Sequence, residues 1–363
     1  MFHKTLNTYL LRQNMFYILT CLAVGAGLYL LTDVFDRLDD FLEAGLGLST
    51  IATYFGVKLP LIISQILPAV FLLSVVSQLC LMARHRELLA LRAGGISFGR
   101  LSSFYIAYSL LWCVIQLVFA QFVGVYGQQM SSRIWAEDVR GNVVEETTMR
   151  NLWLKEGDYI VEIAEAVPAL RQARGVHIYQ LSEDRRSLTH QYDAASAEAK
   201  PGHWVLQDAS VLNPQTFRYE KHPEVTVPIK QDLKAFLAVD PDMDPAQLPL
   251  WQLSDTISKL EESGSNVEVL LTSWHSKWSY AFSILAMGLL AMALVTMSEN
   301  IYLNIALSLV LTFAYYVVFM IGMTLGQNGV LPPAIGAWLG NIVFCTLAGA
   351  RLIWCAIPTR QNA

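Results

Sequence analysis

The residues of this chain that could do chemistry are scattered, and their spacing builds few sites. The seven histidines are His3, His85, His177, His190, His203, His222 and His275. None stands in HExxH or a similar ligand spacing, and the five cysteines (Cys21, Cys80, Cys113, Cys345 and Cys355) form no CxxC. There is no GxSxG, so no nucleophile elbow, and no GxxxxGK[ST], so no P-loop to cradle the phosphates of ATP. The paired acids Glu145-Glu146 and Glu261-Glu262 read as solvated surface. These absences leave no catalytic constellation and no metal site, and any ATP chemistry must belong to another polypeptide.

One polar stretch does have a pattern. ARHRELLALRAGGIS, residues 83–97, sets Arg84, Arg86 and Arg92 around Glu87 and closes on Gly94 and Gly95. At 3.6 residues per turn Leu88, Leu91 and Arg92 share a face with Arg84 and Glu87, which predicts a short amphipathic helix. The glycines would end it as a C-cap. Such a helix can lie on anionic headgroups, or it can sit in a groove of another protein. Glu87 favours the second use, because lipid anchoring gains nothing from an acid.

The elements that must position this helix are membrane spans. The chain of 363 residues is 54% hydrophobic and only 15% charged, well below a soluble domain. Apolar runs fill 15–32, 53–82, 101–126, 278–297, 301–326 and 331–357, each long enough to cross a hydrocarbon core of roughly 30 Å. That predicts six spans, three on each side of a polar middle. The first run lacks the small-residue cleavage site of a secretory signal. Lys4 and Arg12, the arginines of 83–100, and Arg351 with Arg360 mark the cytoplasmic ends. Asp33, Asp36, Asp39, Asp40 and Glu43 follow the first span and belong outside, as does the whole of 127–276. That region carries 14 Lys and Arg against 23 Asp and Glu, a poor surface for nucleic acid. All five cysteines fall in the predicted spans as small apolar packing, so the external region has no disulfide framework.

Within it, residues 150–235 read as strands. Glu156-Gly157-Asp158 is a hairpin turn between two apolar stretches. GVHIYQL and SLTHQYDAASAEA flank a polar turn, and WVLQDASVL follows. VTVPI carries a proline and belongs at an edge. Short strands at this spacing predict an antiparallel sandwich, jelly roll or open barrel. Residues 249–264 read as an amphipathic helix ending at Gly264.

These segments together resemble a family. ARHRELLALRAGGIS after a long second span is similar to the coupling segment of the lipopolysaccharide-export permeases, the LptF/LptG family. LWLKEGDYIVEIAEA and the stretch from GVHIYQL to WVLQDAS, with Ala195, Ala199, Trp204 and Leu206 in cadence, resemble that family's periplasmic β-jellyroll. LSDTISKLEESGSNVEVLLTSWHSKWSYAFS resembles the helix leading into the fourth span, and LPPAIGAWLGNIVF the start of the last. The likeness is colinear over nearly the whole chain, and its external segment is closer to LptG than to LptF. Two departures stand beside it. The family often has proline shortly after the lysine entering span four, where Ala281 follows Lys277 here. It often has proline after the tryptophan of the last span, where Leu339 and Gly340 follow Trp338 here.

The resemblance implies a layout and a set of roles. Residues 1–126 would hold spans one to three with a coupling helix at 83–95. Residues 127–248 would form the β-jellyroll domain, 249–276 a connecting helix, and 277–363 the last three spans. The chain would be one permease of an ATP-driven lipopolysaccharide exporter, binding no cofactor itself. Its partners would be a cytoplasmic ATPase dimer, a second six-span LptF-like permease, a periplasmic β-jellyroll protein and the lipid. Arg84, Arg86, Glu87, Leu88, Leu91, Arg92 and Gly94 would make the ATPase coupling. Arg37, Lys58 and Arg133 are the cations offered to the lipid's phosphates. Trp153, Tyr159, Val161, Ile163, Ile178 and Trp204 are the candidates for a groove that takes acyl chains. A membrane-anchored scaffold, or a permease of another lipid or lipoprotein exporter, is the alternative; the lipoprotein-releasing type has four spans.

Overall fold

The computed structural model describes residues 2–139, 149–167, 172–182, 187–200, 202–214, 216–229, 245–263, 266–298 and 300–356. Glu145, Glu146 and Arg360 lie outside the described residues. Six helices are long and apolar enough to cross a membrane: α1 (Phe2–Glu43), α2 (Leu48–Arg84), α4 (Phe98–Val139), α6 (Glu268–Val295), α7 (Ile301–Gln327) and α8 (Pro333–Ala356). Each coincides with one of the six apolar runs to within two residues at the ends of the run or extends beyond it. Between α2 and α4 lies the seven-residue α3 (Glu87–Ala93), and α5 (Leu250–Ser263) precedes α6. The chain divides into two compact units. The helical one comprises residues 1–141, 246–250 and 268–363; the other comprises 142–245 and 251–267. Residue 127 lies inside the long α4, which runs on through two π-helical turns, Ala120–Gly124 and Trp135–Val139.

In the helical unit α2 and α6 are the most buried helices, and α1 packs chiefly against α2. α2 carries Pro60 and Pro68. A proline has no N–H, so Pro68 leaves the carbonyl of Ser64 without its helical donor. In an apolar surrounding that acceptor needs another donor. Gln116 of α4 supplies one, its Nε2 donating to the Ser64 carbonyl at 2.7 Å. The next carbonyl, of Gln65, accepts from the hydroxyls of Tyr280 on α6 and Tyr316 on α7. Three helices thus converge on one proline break.

The last two spans meet through glycine. Gly322 and Gly326 on α7, four apart, both face Gly336 on α8, and Gly340, four further on, lies against Tyr315 and Phe319 of α7, the small-xxx-small pattern that lets membrane helices approach closely. Beneath the contact Asn341 donates to the Ser279 carbonyl at 2.7 Å and accepts from the Tyr315 hydroxyl at 2.9 Å.

The second unit holds, besides most of α5, a single antiparallel sheet among its described residues: β1 (Met149–Glu156), β2 (Tyr159–Val167), β3 (Gln172–Leu181), β4 (Leu188–Lys200), β5 (His203–Asn213) and β6 (Arg218–Val227). The strands pair in chain order. The all-β expectation holds, but the described strands form an up-and-down meander without the crossing connections of a jelly roll. Gly157, at φ +58°, makes the first hairpin turn. β6 is an edge strand and contains Pro223, with Pro228 just beyond it, where a missing N–H breaks no interior ladder.

A crease runs across this sheet. Side chains of a strand alternate between its two faces. Yet Val161 and Ile163 are buried on β2, and then Ala166; on β5, Trp204 and Leu206 are buried, and then Ala209. The parity also slips on β3 and β4 at the same level. The register aligns Ala164, Gly175, Ala195, Asp208 and Pro223 across neighbouring strands, and the ladder skips this row. Gly175 and Asp208 have φ of +61° and +50°. The apolar halves on both sides of the row join in one core.

Candidate functional site

The 83–97 segment is built differently from a single helix. Arg84 is the last residue of α2, and α3 starts only at Glu87. Leu88 and Leu91 are half-buried against the helical core, which seats α3 on the bundle. Its end is the glycine cap that the sequence predicts. The Ile96 N–H donates to the Leu91 carbonyl at 2.9 Å and the Gly95 N–H to the Arg92 carbonyl at 3.0 Å, with Gly95 at φ +82°. This is a Schellman motif, and Gly94 is its C-cap. α1 and α7 end the same way, on Gly45 and Gly329.

The end of α2 also turns through the left-handed region, but there the residue is Arg86, at φ +59°. A residue with a Cβ pays roughly 1–2 kcal/mol for that conformation. Arg86→Gly is therefore expected to stabilise the helical unit by about 1 kcal/mol, read as a rise in the detergent melting temperature. It removes a cation from the cleft described next, so the gain should come with weaker binding of whatever that cleft holds.

Arg84, Arg86 and Arg92 line a cleft of about 890 Å³ between α3 and the 295–298 turn after α6. No acidic side chain is among the described residues that line it. Leu89, 63% exposed, lies on the side of α3 opposite its anchors, and Met297 is as exposed on the facing wall. Glu87 is not in the cleft. It accepts from the Tyr9 hydroxyl at 3.0 Å and so links α3 to α1. The guanidinium of Arg351 on α8 donates to the Thr296 carbonyl at 3.2 Å and braces the far wall. Three cations around an exposed leucine suit an acidic partner surface with an apolar socket.

At the acidic end the structure brings two of the three candidate cations together. Lys58 is 8% exposed, and its Nζ lies 2.6 and 2.8 Å from the two carboxylate oxygens of Asp33. The Nε of Arg37 donates to the same carboxylate at 3.1 Å, and its guanidinium lies 4.3 Å from the centre of the Trp135 ring. Phe41, Tyr54 and Trp135 pack around the cluster. Arg133 is elsewhere. It is exposed and pairs with Glu137 at 2.7 Å, beside a hollow of about 460 Å³ walled by Ser49, Thr50 and Thr53.

The groove candidates divide sharply. Val161, Ile163, Ile178 and Trp204 are 0% exposed within the sheet's own core. Tyr159 packs against that core, and burial, then the Asp158 charge, push its phenol above the usual range. Trp153, on the edge strand β1, is exposed. In this conformation the buried four fill the interior, and of the six candidates Trp153 is the exposed one.

Sequence reasoning missed Leu89, Asp33, Tyr9 and the 295–298 turn. Leu89 had a signal: it is a leucine off the inward stripe of Leu88 and Leu91. The others are joined to their partners only by tertiary register.

Compared one by one with curated proteins, the chain finds no match. A family model does match, over residues 8–354: "Lipopolysaccharide export system permease LptF/LptG". Its span takes in all six membrane helices, α3 and the inserted sheet, so the cleft, the Asp33 cluster and the β core all fall within it. By this match over nearly its whole length, the chain belongs to the LptF/LptG family of lipopolysaccharide export permeases, multi-pass inner-membrane subunits that are not themselves enzymes.

Proposed function

We propose that the chain is the LptG-like permease of an ATP-driven exporter. In this reading it pairs with a second six-span permease, engages a cytoplasmic ATPase dimer, extracts lipopolysaccharide from the inner membrane, and passes it to a periplasmic β-jellyroll bridge. The observation that carries the motor contact is the cleft: a helix seated by Leu88 and Leu91 turns Leu89 outward among Arg84, Arg86 and Arg92. A chain without a P-loop needs such a contact, because its energy source is another polypeptide.

Magnitudes favour a relay. Exposing acyl chain to water costs about 0.8 kcal/mol per CH₂. A lipid with several chains would cost on the order of tens of kcal/mol if pulled out bare. The chains must stay covered, first between paired permeases and then in a protein interior beyond the membrane. The exposed apolar faces of α1 and α7, with Phe16, Leu28 and Phe35 on one and Val310, Phe313 and Met320 on the other, suit such pairing.

The test is purification of the tagged chain from its own membrane in mild detergent, with mass spectrometry of what accompanies it. An ATPase subunit and a second six-span permease are expected. Leu89→Asp and Arg92→Glu should lose the ATPase and keep the permease. A chain that comes alone, or only with periplasmic proteins, would overturn the reading in favour of a scaffold.

A further inference from the structure

We propose that Asp33 is a built-in stand-in for a phosphate. Its carboxylate occupies the place that a phosphate monoester of the transported lipid takes between Lys58 and Arg37, and the exchange of one anion for the other loosens α1 from α2. This rests on the lipid-export reading above.

The geometry sets the terms. Asp33 and Lys58 each lie ten residues inside the acidic end of their helices, before Glu43 and after Leu48. That is about 15 Å along each rod. α1 and α2 are long enough to project beyond a hydrocarbon core, so this level is where headgroups lie. A buried lysine without a partner is strongly unfavourable, and Asp33 makes the resting state tolerable. The match is incomplete, however. Lys58 and Arg37 carry two positive charges and share one carboxylate. A phosphate monoester carries about 1.5–2 negative charges and three acceptor oxygens. It balances the pair better, and it suits the three donors of an ammonium and the fork of a guanidinium. Arg37 is already oriented by the Trp135 ring, so little order is lost on exchange. Asp36, Asp39 and Asp40 are exposed nearby, where water and salt screen them.

The exchange has a mechanical consequence. The Asp33–Lys58 bridge is an ion pair between α1 and α2, and α1 packs chiefly against α2. The outward side of α1 at this level, Leu28, Leu31 and Phe35, is exposed and apolar. Acyl chains lying along it would bring a headgroup to the cluster. A phosphate that takes Lys58 frees Asp33 into water and removes the polar tie between the helices at this end, while Gln78 of α2 still donates to the Leu10 carbonyl of α1 at the other.

The experiment measures binding of a bisphosphorylated acylated disaccharide, and of the same lipid dephosphorylated, to the full chain in nanodiscs. Asp33→Asn should bind the phosphorylated lipid about tenfold more tightly, the factor that a charge-assisted hydrogen bond is worth. Its affinity for the dephosphorylated lipid should not change. Asp33→Glu should behave as the wild type, and Asp33→Asn with Lys58→Gln, which buries no charge, should lose the gain. A second readout keeps both charges. Gly25 and Ile66 meet across α1 and α2, about 12 Å along the rods from the bridge, where a Cβ on Gly25 would lie 3.3 Å from the Ile66 Cδ1. A disulfide between Gly25→Cys and Ile66→Cys should form more slowly when the phosphorylated lipid is present. Equal affinities in Asp33→Asn and wild type, or equal changes for both lipids, would make Asp33 a structural partner only and overturn the proposal. Inorganic phosphate binding Asp33→Asn as tightly as the lipid does would overturn the lipid as ligand. Binding of neither lipid to any form would overturn the export reading itself, a separate failure.

Discussion

Trp204→Ala is expected to destabilise the β unit by about 3–5 kcal/mol and to leave the helical unit unchanged. Trp204 is the largest fully buried side chain among the described residues, in a core otherwise made of small and branched residues. Six of the fourteen buried members of that core are alanines: Ala166, Ala173, Ala194, Ala197, Ala199 and Ala209. Alanine has no side-chain torsion with which to reach into a hole, so the site relaxes little and the cavity cost stays near its full value. Against a domain stability of roughly 5–15 kcal/mol the loss is severe. Hydrogen exchange on the full chain in detergent reads it directly. Amides of β2 to β5 should lose protection by two to three orders of magnitude, on the order of 3–4 kcal/mol, while those of α2 and α6 keep theirs. The same variant separates two roles. Retained protection with weaker crosslinking to lipid would make Trp204 part of an open groove. Lost protection makes it core, and shifts the search for a lipid contact to the exposed edge at Trp153.

How much of this was legible beforehand varies with the range of the interaction. The six spans are written locally, as apolar runs long enough for a bilayer, and the cap of α3 is written in the pair Gly94-Gly95. The break at Arg86 is not, because arginine is the last residue that a left-handed turn would suggest. It splits what looks like one amphipathic helix into the end of α2 and α3. The Asp33 cluster was invisible for another reason. Asp33 and Lys58 are 25 residues apart and meet only through the antiparallel register of α1 and α2. Without that register the acids after span one look like an obstacle to anion binding, when one of them is the counter-ion. The crease is similar. Ala164, Gly175, Ala195, Asp208 and Pro223 are unremarkable one by one, and only the strand register sets them in a row. Individual strands were readable, but the row that turns a flat alternation into a folded core was not.

The contact between the last two spans sets the second large effect. A Cβ on Gly336 would lie 2.7 Å from the Gly322 carbonyl oxygen, 2.9 Å from the Gly326 Cα and 3.1 Å from the Gly326 nitrogen. All three are backbone atoms, so no rotamer change can relieve the overlap and the helices themselves must part. Gly336→Ala is expected to cost about 1–3 kcal/mol, and Gly336→Val more than Gly336→Ala. Gly349→Ala on the same helix is the control, since nothing lies within 4 Å of its added methyl. There the better helix propensity of alanine should stabilise by about 0.5–1 kcal/mol. Melting temperatures in detergent should therefore move in opposite directions for the same chemical change on one helix. Two falls would mean that glycine serves the flexibility of α8. Two rises would mean that α7 and α8 do not approach through their backbones. Opposite signs assign the cost at Gly336 to close packing, because the intrinsic preference of alanine over glycine is common to both sites and cancels in the comparison.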